Sequence, residues 1–205
     1  ALVDKGDTLK QTIEDIKEIV GDKGIVAGDA VTENYAKTST SEEIQKIMLF
    51  IIPVIVLILM ISTSSWFEPF LFLFTVGISI LINTGTNIFL GEISFITNAT
   101  AAILQLAVSM DYAIFLLHRF AEFRDEGLDV KEAMVNAMKK SYTSILSSGL
   151  TTILGFLALT LMRFKIGPDL GTVLAKGIVF SLLSVMFLLP VLTIYTYKII
   201  DKTHH

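Results

Sequence analysis

FITNATAAILQLAVSMDYAIFLLHR, running from Phe95 to Arg119, decides what kind of protein this is. The stretch is long and apolar enough to cross a bilayer, which takes about 20 such residues. Yet Asp111 stands in its middle, with Tyr112 beside it and Gln105 and Ser109 nearby. Arg119 marks its aqueous border. At about 1.5 Å of rise per residue, Asp111 lies about 12 Å inside that border, near the midplane of a core about 30 Å thick. An ionisable group at that depth is costly unless it faces protein or a wet cavity, so its presence points to function.

Working outward from this stretch, four further apolar blocks complete a bundle of five spans. They run over about 44–62, 69–90, 95–117, 144–162 and 172–197. The first contains Pro53, which a membrane helix tolerates because neighbours re-satisfy the freed carbonyl. Five helices of a soluble bundle would show polar faces at helical period; these blocks are apolar nearly all round. The 205 residues are 53% hydrophobic, with a mean hydropathy of +0.69. That composition alone is equivocal. The distribution is decisive, because charges crowd into residues 1–46 and 118–140. The net charge of -4 gives no basic face for a nucleic acid. There is no cysteine, and the three histidines have no ligand spacing, so no metal site is expected. Neither GxGxxG nor GxxxxGK[ST] occurs, and no Ser-His-Asp set is visible, so catalysis and cofactors have no residues to stand on.

Residues 1–42 have a soluble character. Leu9, Ile13, Ile16 and Val20 recur at helical spacing, and Gly21 and Gly24 end that helix. Ile25–Val31 reads as a short strand. One helix and one strand bury no core of their own, so this is an α/β remnant of a larger domain. Thr38–Ser41 reads as a linker, with Ser41 the N-cap of the first span. At the other end, 201–205 is a tail, and His204 and His205 look like the start of a tag.

The connection after the third span carries Arg119, Arg124, Lys131, Lys139 and Lys140, and the loop after the second carries no Lys or Arg. The positive-inside rule makes the basic connection cytoplasmic and residues 1–42 extracytoplasmic. Within about 119–142, Val130, Met134, Ala137 and Met138 share one face behind a cap at Asp129, which predicts an amphipathic helix on the inner leaflet. Asn83, Thr84, Thr86 and Asn87 predict an exit into water, and Lys176 is placed to snorkel outward.

Asp111-Tyr112 admits two readings. One is a neutral acid that hydrogen-bonds to hold helices together. The other is a proton site, since burial raises a carboxyl's pKa while water or a cation lowers it, so a conformational change loads and unloads a proton. Ser144, Ser148 and Thr151, with Gly155, lie at helical spacing on the fourth span. They make either a small-residue packing face or a hydroxyl face that supports Asp111, and the two are compatible.

Ser109-Met110-Asp111-Tyr112 followed by AIFLLHRFAEFRDEG resembles the MMPL branch of the resistance–nodulation–division (RND) exporters. The resemblance continues through KEAMVNAMKKSYTSILSSGLTTILGFLAL and IGPDLGTVLAKGIVFSLLSVMFLLPVL. GDAVTENYAKTSTSEE is similar to the last piece of that family's extracytoplasmic porter domain. The resemblance implies that residues 43–200 are helices two to six of one repeat, a unit shared with the sterol-sensing domain. It also implies a second repeat as partner, in the same polypeptide or another chain. Asp111 becomes the proton carrier, Tyr112 its cross-repeat partner and Ser148 a polar neighbour. The function implied is export of lipids or hydrophobic compounds, driven by protons across the cytoplasmic membrane. A lipid- or sterol-binding regulatory module and a protein-secretion auxiliary are the alternatives.

Overall fold

A computed structural model describes residues 7–21, 28–63, 65–91, 93–163 and 166–202. The chain divides into two compact units, Ala1–Ile47 and Met48–His205. Helix α1 (Asp7–Val20) lies in the first and ends at Gly21, whose φ of 63° suits a residue without Cβ. Of its expected apolar face, Ile13 is buried, whereas Ile16 and Val20 are exposed. Helix α2 (Asp29–Ser62) contributes residues to both units.

No strand forms among the described residues. Of the strand expected over Ile25–Val31, residues 25–27 lie outside the described residues, and Asp29 to Val31 open α2. Thr38–Ser41, expected as a linker, lies inside the same helix. Helix nucleation is the costly step and propagation is cheap, so a nucleated helix runs on through residues of mediocre propensity.

The second unit is built from the end of α2 and from α3 (Glu68–Thr86), α4 (Phe95–Asp125), α5 (Val130–Ala158), α6 (Ile166–Leu183) and α7 (Leu189–Lys202). Among the described residues, four segments are long and apolar enough to cross a membrane: Glu68–Leu90, Ile96–Asp125, Val130–Leu161 and Ile166–Ile200. The apolar part of α2, Leu49–Ser62, is shorter, because Lys46 and the acidic residues before it interrupt the run. By length and composition, four of the five expected crossings meet the requirement among the described residues, and the first, in α2, falls short of it.

Helices α4, α5 and α6 pack on one another, and α3 lies against α4 and α6. Leu59, Phe72, Leu116, Met134, Ile178 and Leu189 are fully buried in their common core. Outward positions are apolar too, as at Phe70 and Phe74 on α3 and Leu150 and Leu154 on α5. That pattern belongs to a helix bundle solvated by lipid. The amphipathic helix expected over 119–142 is divided: Arg119–Asp125 extend α4, and Val130 onward begins α5. Gly127, with φ 88°, makes the turn between them. Asp129 caps α5 as expected, accepting from the Lys131 N–H at 3.4 Å.

Between α6 and α7 the helix widens into a π turn over Ser184–Leu188. Pro190 supplies the cause. It has no N–H to return to the Met186 carbonyl, and its ring crowds that group, so the turn expands instead of breaking. Ile166–Ile200 thereby stays one uninterrupted apolar segment.

Candidate functional site

Asp111 stands near the middle of the apolar segment Ile96–Asp125, on the exposed face of α4. One helical turn later Phe115 shares that face. On α5, Ser144 and Ser148 are likewise one turn apart. Asp111, Tyr112 and Phe115 together with Ser144, Ile145 and Ser148 line a groove of about 180 Å³ between the two helices. Four of the five residues singled out from the sequence thus meet in one place. Thr151 does not line the groove; it is exposed, and its hydroxyl donates to the Ser147 carbonyl of its own helix at 2.9 Å.

Tyr112 is one residue, or about 100°, around α4 from Asp111. That rotation turns its ring into the core, where it is 4% exposed. Its hydroxyl donates to Thr152 Oγ1 at 3.3 Å, and Thr152 in turn donates to the Ser148 carbonyl at 2.9 Å. The groove therefore offers one carboxyl, hydroxyl oxygens and two apolar walls. A carboxyl so placed is disfavoured as a bare anion against hydrocarbon. It must be neutral, wetted or covered by another protein surface.

At one end of α4 the Arg119 guanidinium lies over the Phe115 ring, 5.5 Å from its centroid, and pairs with Glu122. Lys140 of α5 reaches the same carboxylate at 3.7 Å and stacks over Phe123. These contacts tie the charged ends of α4 and α5 together beyond the groove.

A second polar cluster, buried on another face of α4, was not recognised as a cluster from the sequence. Gln105 is fully buried. Its Oε1 accepts from Asn83 Nδ2 at 2.8 Å. Its Nε2 lies 3.1 Å from Ser79 Oγ, 3.0 Å from the Gly177 carbonyl and 3.1 Å from Ser181 Oγ. Ser79 and Ser181 share a further bond at 3.2 Å, and Asn83 also donates to the Val173 carbonyl at 3.3 Å. Asn83, expected at an exit into water, is instead 2% exposed. Lys176, expected to snorkel outward, donates to the Asn83 carbonyl at 3.1 Å and to Asn87 Oδ1 at 2.7 Å. It thereby satisfies the carbonyl end of α3, where a cation is favoured. The available signal was spacing: Ser79 and Asn83, and Gly177 and Ser181, are i,i+4 pairs inside otherwise apolar helices.

The sequence model of the MMPL family matches residues 4–199. A Methanocaldococcus jannaschii protein named as a membrane protein is 39% identical over 98 residues, 47% of this chain and 25% of its own length. The membrane protein YdfJ of Bacillus subtilis is 28% identical over 130 residues, 62% of this chain and 18% of its own. The siderophore exporter MmpL5 of Mycobacterium tuberculosis is 28% identical over 205 residues, 94% of this chain and 21% of its own. The chain spans about a quarter or less of the length of these curated relatives.

Proposed function

We propose, for a chain that belongs to the MMPL family, that it is the membrane half-domain of a proton-driven exporter of lipids or other hydrophobic compounds. The observation that carries this reading is the groove at Asp111. A carboxyl, a tyrosine and two serines converge there, at the depth where an ionisable group is most costly to keep without use. Asp111 is the group that takes up and releases the coupling proton, with Tyr112 as relay and Ser144 and Ser148 as the supporting polar face; Thr151, expected with them, lies outside the groove. The coupling ion is the proton, and no other cofactor is required. The exposure of Asp111 favours a covering partner, the second RND repeat, because lipid alone makes a poor neighbour for a carboxylate. The name of the M. tuberculosis relative supports export as the direction of transport.

In this reading the chain crosses the cytoplasmic membrane five times, the apolar end of α2 adding to the four long segments. The α4–α5 connection is cytoplasmic, and residues 1–42 are the remnant of an extracytoplasmic porter domain. The test is substrate efflux from proteoliposomes holding the full-length protein under an imposed pH gradient. Asp111→Asn keeps size and hydrogen bonding but removes titration. Such a variant is expected to insert and melt normally yet lose gradient-driven efflux. Normal gradient-driven efflux would reduce Asp111 to a structural hydrogen bonder.

A further inference from the structure

We infer that Gln105 is a positioning residue for Asp111: its buried hydrogen bonds to α3 and α6 fix the rotation of α4, and that rotation aims Asp111 at the groove. This inference rests on the proposed proton role of Asp111. Gln105 and Asp111 are six residues apart, which at about 100° per residue turns the helix through about 600° and leaves the side chains about 120° apart. The two ends of this lever differ in how firmly they are held. Gln105 is fully buried and reaches four partners on two other helices. Asp111 is exposed.

Apolar contacts specify such a rotation poorly in a membrane. A leucine turned from a neighbouring helix towards lipid tails loses little, because the tails are as apolar as the helix. A buried carboxamide behaves differently. Turning Gln105 away from Asn83, Ser79 and Ser181 strands donors and acceptors on three helices at once, each without water. Buried polar groups specify register in helical assemblies by the same logic. The fit is also close: a Cβ on Gly177 would stand 2.6 Å from Asn83 Nδ2 and 2.8 Å from Gln105 Oε1. Only glycine leaves the α6 backbone open for the amide to reach, so the lock is built from both sides.

Gln105→Met alone leaves orphaned partners and risks misfolding, so the decisive variant removes the whole network. Gln105→Met, Asn83→Leu, Ser79→Ala and Ser181→Ala together replace every side-chain partner with an apolar group, which is far milder than stranding one of them. Two readouts are taken on the full-length protein, in a background with any other cysteines replaced. The first is the rate at which Asp111→Cys is alkylated by a membrane-permeant maleimide, which needs no transport. The second is the pH profile of efflux with Asp111 intact, the groove's titratable side chains being Asp111 and Tyr112. The expected result is an alkylation rate changed by about five-fold or more and a displaced pH profile, at near-normal expression and melting. A fourfold variant that alkylates at the parental rate and keeps the parental pH profile overturns the inference. If alkylation changes while Asp111→Asn still exports normally, the positioning role of Gln105 stands and the proton reading falls.

Discussion

At Asp111 and Tyr112, neighbours in sequence, α4 makes opposite choices: the acid is exposed and the phenol is buried. The sequence singled out the pair, because a carboxylate in an apolar span stands out whatever surrounds it, but not this division between them. Thr151 was expected beside Ser144 and Ser148 and lies outside the groove, because one residue of helix is about 100° and spacing alone does not say which hydroxyls face a neighbour. Gln105 and Asn83 were noted separately, and their pairing escaped for a related reason. Their partners Ser181 and Gly177 are remote in sequence, so only packing brings them together. The Tyr112 hydroxyl makes a long bond to Thr152, of a kind worth about 1 kcal/mol or less. Tyr112→Phe is therefore expected to lower stability by no more than that and to slow gradient-driven efflux only in part. Melting and efflux measured beside Asp111→Asn check the order; a tyrosine variant as inactive as the asparagine one would make the phenol an obligatory carrier.

Among the elements, the long helices were legible and their ends were not. Apolar blocks locate the membrane-crossing part of a helix, whereas hydrogen bonding carries α4 and α5 well beyond it into the charged turn at Gly127. Asp29 to Val31, the end of the run expected as a strand, illustrate the opposite difficulty, since a few residues suit a strand or a helix equally. Close packing of α5 on α6 depends on Gly171, where a Cβ would meet the Phe156 carbonyl oxygen at 2.5 Å. That obstacle is backbone, which does not step aside as a side chain does. Gly171→Val is expected to cost about 1–3 kcal/mol, the usual range for overpacking. Thermal melting of the detergent-solubilised full-length protein measures it, and an unchanged midpoint would mean that the two helices separate freely.

For the molecule as a whole, the bundle of membrane helices could be read from composition and its distribution, and the MMPL family followed from the Asp-Tyr stretch. The number of crossings was harder, because α2 mixes a polar and an apolar half in one helix. Orientation is open to direct measurement in a chain with no cysteine. Lys131→Cys in the α4–α5 connection is expected to stay unlabelled by an impermeant maleimide outside intact cells and to react once they are broken. Labelling from outside would invert the proposed topology.

The bond from Tyr112 to Thr152 has one more consequence. A phenol owns a single hydrogen, and here it is already committed to a threonine of α5. If the proposed second repeat faces it, a protonated carboxyl from that repeat meets only the free lone pairs of that oxygen and leaves the arrangement undisturbed. An ionised one has no hydrogen to give and competes with Thr152 for the one that exists. In the proposed two-repeat exporter, recognition across the halves would then be exclusive: Tyr112 serves Thr152 of α5 or the visiting anion, and the switch between them is a change of allegiance by one hydrogen.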